Sequence, residues 1–106
     1  QAVSTDGVPQ TVADGVACRV PNDGALGEIA DGVSRILSLS EKEIFASMSH
    51  SLRDTHQVAE GAGALSIAAA LHDAKHEPEW FRGKRVAVVL SGGNVDADVL
   101  RKVLDK

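Results

Sequence analysis

The chain has 106 residues, a formal net charge of −4 and 43% hydrophobic residues, which is one domain at most; folding would bury about two-thirds of its unfolded surface. The charge comes from Asp and Glu spread along the chain, so no nucleic-acid or other polyanion footprint is expected. The single cysteine, Cys18, excludes an intramolecular disulfide, and no apolar run reaches the ~18 residues of a membrane span. The opening Gln1-Ala-Val-Ser-Thr-Asp6 has neither the basic nor the apolar region of a secretory signal and no initiator Met, so the expectation is a cytoplasmic chain beginning inside a longer product.

Residues 1–10 read as an extended lead-in. Thr11 to Val20 alternates weakly, with a tight turn at Ala13-Asp14-Gly15. Asn22 or Asp23 caps a short helix bearing Ala25, Leu26 and Ile29, closed by Asp31-Gly32. Arg35–Leu39 reads as a short strand. Ser40-Glu-Lys-Glu43 is a capping box, and Ile44, Met48 and Leu52 at fourfold spacing, with Phe45 beside them, predict a helix to about Asp54. Thr55 to Ala59 reads as a helix end or a short link. Glu60 to Leu71, Ala-rich and nearly uncharged, predicts a helix packed closely on other backbone. His72 to Gly83 is expected to be a polar link that Trp80 and Phe81 pin to the body. Val86–Leu90 predicts a buried central strand, and Val95–Leu104 an amphipathic helix on Val95, Val99, Val103 and Leu104.

Four constellations bear on chemistry. Ser91-Gly-Gly-Asn94 follows a predicted strand and precedes a helix, where paired glycines admit a ligand to the backbone and free amides favour an anion. It reads equally as an ordinary strand-to-helix turn, and the G-x-G-x-x-G spacing of a nucleotide fingerprint is absent. Glu60 is either a helix-start carboxylate favoured by the dipole or a functional acid brought near a ligand by Gly61 and Gly63. His72 and His76 stand at metal-ligand spacing, but on a polar helix end where solvated histidines are favoured, and no metal site is expected. Cys18 has no base close in sequence and reads as a semi-buried filler.

Five segments in order resemble the C-terminal part of the threonine dehydratase and serine racemase family, pyridoxal-phosphate enzymes of fold type II. They are Thr11-Val-Ala-Asp-Gly-Val-Ala17; Pro21 with Asp31-Gly-Val33; Ser38-Leu-Ser-Glu-Lys-Glu-Ile44; Glu60-Gly-Ala-Gly-Ala64; and Leu90-Ser-Gly-Gly-Asn-Val95. The resemblance implies an α/β fold: residues 1–106 as the C-terminal portion of one large cofactor-binding domain, with a parallel-strand core, flanking helices, no internal boundary and an incomplete sheet. It implies pyridoxal 5'-phosphate as cofactor. Ser91 would hydrogen-bond the pyridine nitrogen, as a hydroxyl can towards an unprotonated ring. Gly92 and Gly93 would keep side chains off the ring, Asn94 would orient the loop, and Asp14, Gly15 and Glu60 would line the surroundings. His56 stands where the family often has Lys, and Gly61 where some members have Pro.

The family's Schiff-base lysine belongs to an N-terminal segment; Lys42, Lys75, Lys84, Lys102 and Lys106 lie outside that motif's context. The expected function is therefore a fragment of an L-threonine or L-serine ammonia-lyase, inactive alone and a homodimer when complete. The alternatives are a serine racemase-like enzyme, a non-catalytic anion- or nucleotide-binding α/β module, and a structural fragment that docks on a full-length homologue. The two strands alone cannot close a sheet, so exposed apolar edges are expected.

Overall fold

The computed structural model describes residues 3–105. Four α-helices follow in order: α1 (Asp23–Gly32), α2 (Glu41–Thr55), α3 (Leu65–His76) and α4 (Ala97–Leu104), with single 3-10 turns at Asp14–Val16 and Pro78–Trp80. α2 is the hub and packs on both α3 and α4.

Local chemistry explains α2. The Ser40 hydroxyl accepts from the Glu43 amide at 3.3 Å, and the Glu43 carboxylate accepts from the Ser40 amide at 2.7 Å. This reciprocal cap satisfies two amides that a helix start leaves free. At the other end His56 takes a left-handed conformation (φ 58°) and its amide closes on the Leu52 carbonyl. Ile44 and Met48 are buried, and Leu39, Phe45, Leu65, Val95 and Val99 pack around them. Among larger apolar side chains only Ile44, Met48 and Val103 are buried; the rest of the buried apolar set is Ala13, Ala59, Ala64 and Ala68. Small side chains here let backbones approach, at the expense of a thin core.

α1 starts as expected, with the Asn22 side chain accepting from the Ala25 amide at 3.0 Å. It buries no residue and packs on none of the other described helices. α3 begins five residues later than its composition suggests and runs on through His72 to His76. Residues 61–64 form a turn instead, because Gly61 passes against the Val12 main chain and Gly63 against that of Gly92. Asp73 supports the extension through its ion pair with Arg35, and Pro78 ends it. α4 starts at Ala97, two residues after the expected point, with Asp96 as N-cap.

Arg35–Leu39 and Val86–Leu90 are not strands in this structure, and no strand occurs among the described residues. Exposure alternates along 35–39 as in a half-buried strand, with Ile36 outward at 79%. The predicted central strand is exposed, Val89 at 73%, and the Ser66 hydroxyl ties it to α3 through the Val89 carbonyl at 2.6 Å. Strand character needs a neighbouring backbone to complete the ladder, and neither segment meets one among the described residues. Apolar surface is thus exposed where unpaired edges were expected.

Two smaller expectations are also revised. Cys18 is exposed, lifted out by the turn in which its amide bonds to the Val16 carbonyl. Trp80 does hold the 77–84 link, but through cations: the Arg35 guanidinium sits 4.2 Å from its ring centroid and the Lys84 ammonium 5.4 Å.

Candidate functional site

Glu60 organises the region where three distant segments meet. Its amide donates to the Gly92 carbonyl at 3.0 Å, and its carboxylate accepts from the Asn94 amide at 3.1 Å. The 58–63 and 92–94 backbones therefore grip each other from both sides of one residue. The grip requires glycines. A Cβ on Gly92 would lie 2.7 Å from the Glu60 carboxyl carbon, one on Gly63 2.8 Å from the Gly92 nitrogen, and one on Gly93 2.8 Å from the Val58 carbonyl oxygen. Gly15 approaches from the third segment, where a Cβ would be 3.8 Å from the Glu60 carboxylate.

The third segment is held independently. Glu41, the first residue of α2, accepts from the Thr11 hydroxyl and, at 3.0 Å, from the Val12 amide. These bonds lower the Glu41 pKa, the Thr11 hydroxyl most and the Val12 amide next, because both stabilise the charged form. Buried Ala13 then leads into the Asp14–Val16 turn.

Between these segments lies a cavity of about 280 Å³ bounded by Thr11, Asp14, Glu60, Asn94, Asp96 and Val99, among others. Of the residues expected to form the site, Asp14, Glu60 and Asn94 line this cavity. Gly15 and Gly92 stand behind Glu60. Ser91 and Gly93 are exposed and are not among its lining residues. Ser91 is nevertheless joined to the Gly92–Asn94 segment that Glu60 anchors, and its hydroxyl has no hydrogen-bond partner among the described residues.

Sequence reasoning missed Thr11 as a lining residue, Asp96, and the anchoring role of Glu41. Glu41 carries a readable signal, an acid at the first position of a capped helix, but nothing local says which segment it reaches. Three carboxylates, of Asp14, Glu60 and Asp96, bound the cavity, so it disfavours anions and suits a neutral or electron-poor group.

The histidines lie elsewhere. His72 bonds Glu43 at 2.7 Å and stacks near His76, ring centroids 4.6 Å apart; His50 bonds Asp54 at 2.8 Å. No cluster of three or more metal-ligating side chains occurs among the described residues. None of the described helices is long and apolar enough to cross a membrane.

Comparison with known proteins gives this arrangement a context. An L-threonine ammonia-lyase of Thermotoga maritima is 34% identical over 106 residues, all of this chain and 25% of that protein. A catabolic L-threonine dehydratase of Staphylococcus aureus N315 is 35% identical over 95 residues, 90% of this chain and 27% of its own length. The chain thus spans about a quarter of the curated relatives it matches. The crystal structure of a T.th. threonine deaminase superposes with a TM-score of 0.76 at 31% identity, covering 89% of this chain and 32% of that one. The family of pyridoxal-phosphate dependent enzymes matches residues 1–92, which take in the lead-in, the 11–16 and 58–63 segments and the first two residues of the Ser-Gly-Gly-Asn loop, and the chain belongs to that family.

Proposed function

We propose that this chain is a segment of a pyridoxal-phosphate dependent L-threonine or L-serine dehydratase, and that it supplies the wall of the pocket facing the ring nitrogen of the cofactor. The relatives support the reaction class. The observation that carries the placement is the Ser91 hydroxyl, which is exposed, unpartnered and joined to a segment anchored by Glu60.

The residues present fit the ring edge of such a cofactor and not its phosphate. Three carboxylates around the cavity repel a phosphate, whereas a serine hydroxyl can donate to an unprotonated ring nitrogen. When bound, the cofactor supplies an electron sink that lets the α-proton and then the β-hydroxyl of the substrate leave. Ser91 donates to the ring nitrogen, Gly92 and Gly93 keep side chains clear of the ring, and Glu60 sets the height of the loop by holding the Asn94 amide. Asp14 and Gly15 bound the same space from the opposite segment. The proton-removing lysine comes from another part of the enzyme: Lys42, Lys75, Lys84 and Lys102 do not line the cavity, and Lys106 is outside the described residues.

On this reading residues 1–106 are one portion of a single domain, 35–39 and 86–90 join a parallel sheet completed by further strands, and the enzyme works as a cytoplasmic homodimer. The test uses the complete polypeptide carrying this sequence, supplied with cofactor and L-threonine or L-serine. Release of ammonia with a 2-oxo acid is expected. Ser91→Ala should lower kcat about 100-fold and shift the cofactor absorbance, with the denaturation midpoint unchanged. A variant within twofold of the parent in kcat would remove Ser91 from the site. No ammonia from either amino acid, with cofactor retained, would remove the dehydratase assignment.

A further inference from the structure

On the side of α2 facing α3, basic groups converge although the chain as a whole is acidic. A groove of about 350 Å³ is lined by Ala46, Ala68 and Leu71 with His50, His72, Lys75 and His76, together with Glu43. A second cleft of about 280 Å³ adjoins it, sharing Ala46 and His50 and adding Lys42 and Arg53. Among the described residues no ion pair engages Lys42, Arg53 or Lys75.

The acids nearby are already committed. Glu43 is bonded to Ser40 and His72, which together hold its pKa at about 2, so it stays ionised and is the one carboxylate among the residues lining the groove. Asp54 pairs with His50, Asp73 on α3 with Arg35, Glu77 beyond the helix end with Arg35 as well, and Glu79 with Arg82. Lys75 and His76 in the last turn of α3 also suit its dipole. The α2 dipole likewise suits Arg53 in its last turn, but neither dipole accounts for Lys42 in the first turn of α2 or for the apolar floor between the helices.

We propose that this groove binds a small organic phosphate, its phosphoryl group among His72, Lys75 and His76 and its apolar body on Ala46, Ala68 and Leu71. Phosphate is favoured over a single carboxylate because the Lys75 ammonium and the His72 and His76 rings of α3 line the groove together with His50 of α2, and a phosphoryl group offers more acceptor oxygens to these donors. The site is separate from the Glu60 cavity and stands whether or not the dehydratase reading holds.

The experiment titrates the complete polypeptide with inorganic phosphate and, separately, with phenyl phosphate at constant ionic strength, following the imidazole resonances of His72 and His76. Saturable shifts are expected in the millimolar range, with phenyl phosphate about fivefold tighter. The exposed double variant Lys75→Gln/His76→Gln, read on His72, should weaken binding about tenfold. Lys84→Gln, a cation on the Trp80 ring outside the groove, should leave it within twofold. Absence of saturable shifts in the parent overturns the proposal, as does equal weakening by the Lys84 variant. Equal affinity for the two ligands overturns the apolar-floor part alone.

Discussion

The interlock around Glu60 predicts an unusual result for Gly92→Ala. The added methyl would fall 2.7 Å from the Glu60 carboxyl carbon, so the carboxylate must swing away and the Asn94 amide loses its acceptor. A hydrogen bond to a charged acceptor contributes about 1.5–3 kcal/mol; Asn94 is exposed, so water replaces part of it and the low end, about 1.5, applies. Gly92 does not have a positive φ, so alanine also returns roughly 0.5 kcal/mol by restricting the unfolded chain. The expected net destabilisation is about 1 kcal/mol. With Glu60→Ala already present there is no carboxylate to displace, and the same change should be neutral or stabilising by about 0.5 kcal/mol. The coupling between the two positions is therefore about 1.5 kcal/mol. Denaturant midpoints of the four proteins measure it, and hydrogen exchange at the Asn94 amide should quicken about tenfold in either single variant. Equal costs for Gly92→Ala in both backgrounds would refute the interlock. Gly63→Ala provides the contrast: its methyl meets the main chain of Gly92, which no side-chain rotation relieves, so Glu60→Ala should not rescue it.

Other elements give further expectations. Ser40→Ala should cost about 1 kcal/mol in thermal unfolding by removing the α2 cap. The same variant should move the Glu43 titration, followed by carboxyl NMR, up from about 2 towards its ordinary 4.5, because the Ser40 hydroxyl is the largest cause of the depression. A carboxylate with a lowered folded pKa stabilises above its unfolded value, and that contribution is lost as pH falls from about 4.5 through 2; the parent's acid limb should show it and the variant's should show less. Asp73→Asn breaks the pair with Arg35 and should cost about 2 kcal/mol, less than the 3–5 of a fully buried pair because the guanidinium keeps contact with water. His56→Gly relieves a left-handed residue at the α2 terminus and should raise the unfolding free energy from denaturant titration by about 0.5–1 kcal/mol.

How far the residues spoke for themselves depended on the range of each interaction. α2 was legible because its cap and its apolar stripe lie within four residues of one another, as was the Asn22 cap of α1. The start of α3 was not, since Gly61–Ala64 turns only because Val12 and Gly92 press against it from distant parts of the chain. The segments 35–39 and 86–90 kept their strand-like composition, while the ladder depends on neighbours that composition cannot provide. Glu60, Asp14 and Asn94 were marked by glycine-rich motifs and do meet at one cavity. Glu41 acts by bonding Thr11 and Val12, and Asp96 by facing the same cavity as Thr11, which no periodicity encodes.

The surface of the chain bears on why the site is built in this way. A folded protein of 11.1 kDa exposes about 5,700 Å², whereas this chain exposes 7812 Å², about 2,100 Å² more. Part of the excess is the exposed stretch 3–10, and part of the apolar share lies on Ile36, Val86, Val88 and Val89, in the segments that read as strands. The Glu60 grip sits directly after one of those segments, so on the proposed function a strand paired with Val86–Leu90 would also fix the height of Ser91. A ring-binding hydroxyl has to be placed within about 0.5 Å, and a loop held by Glu60 on one side and by a covered strand on the other meets that demand better than either support alone. On the proposed function the exposed edge and the anchored loop would be two halves of one positioning device, and covering the edge would align the hydroxyl.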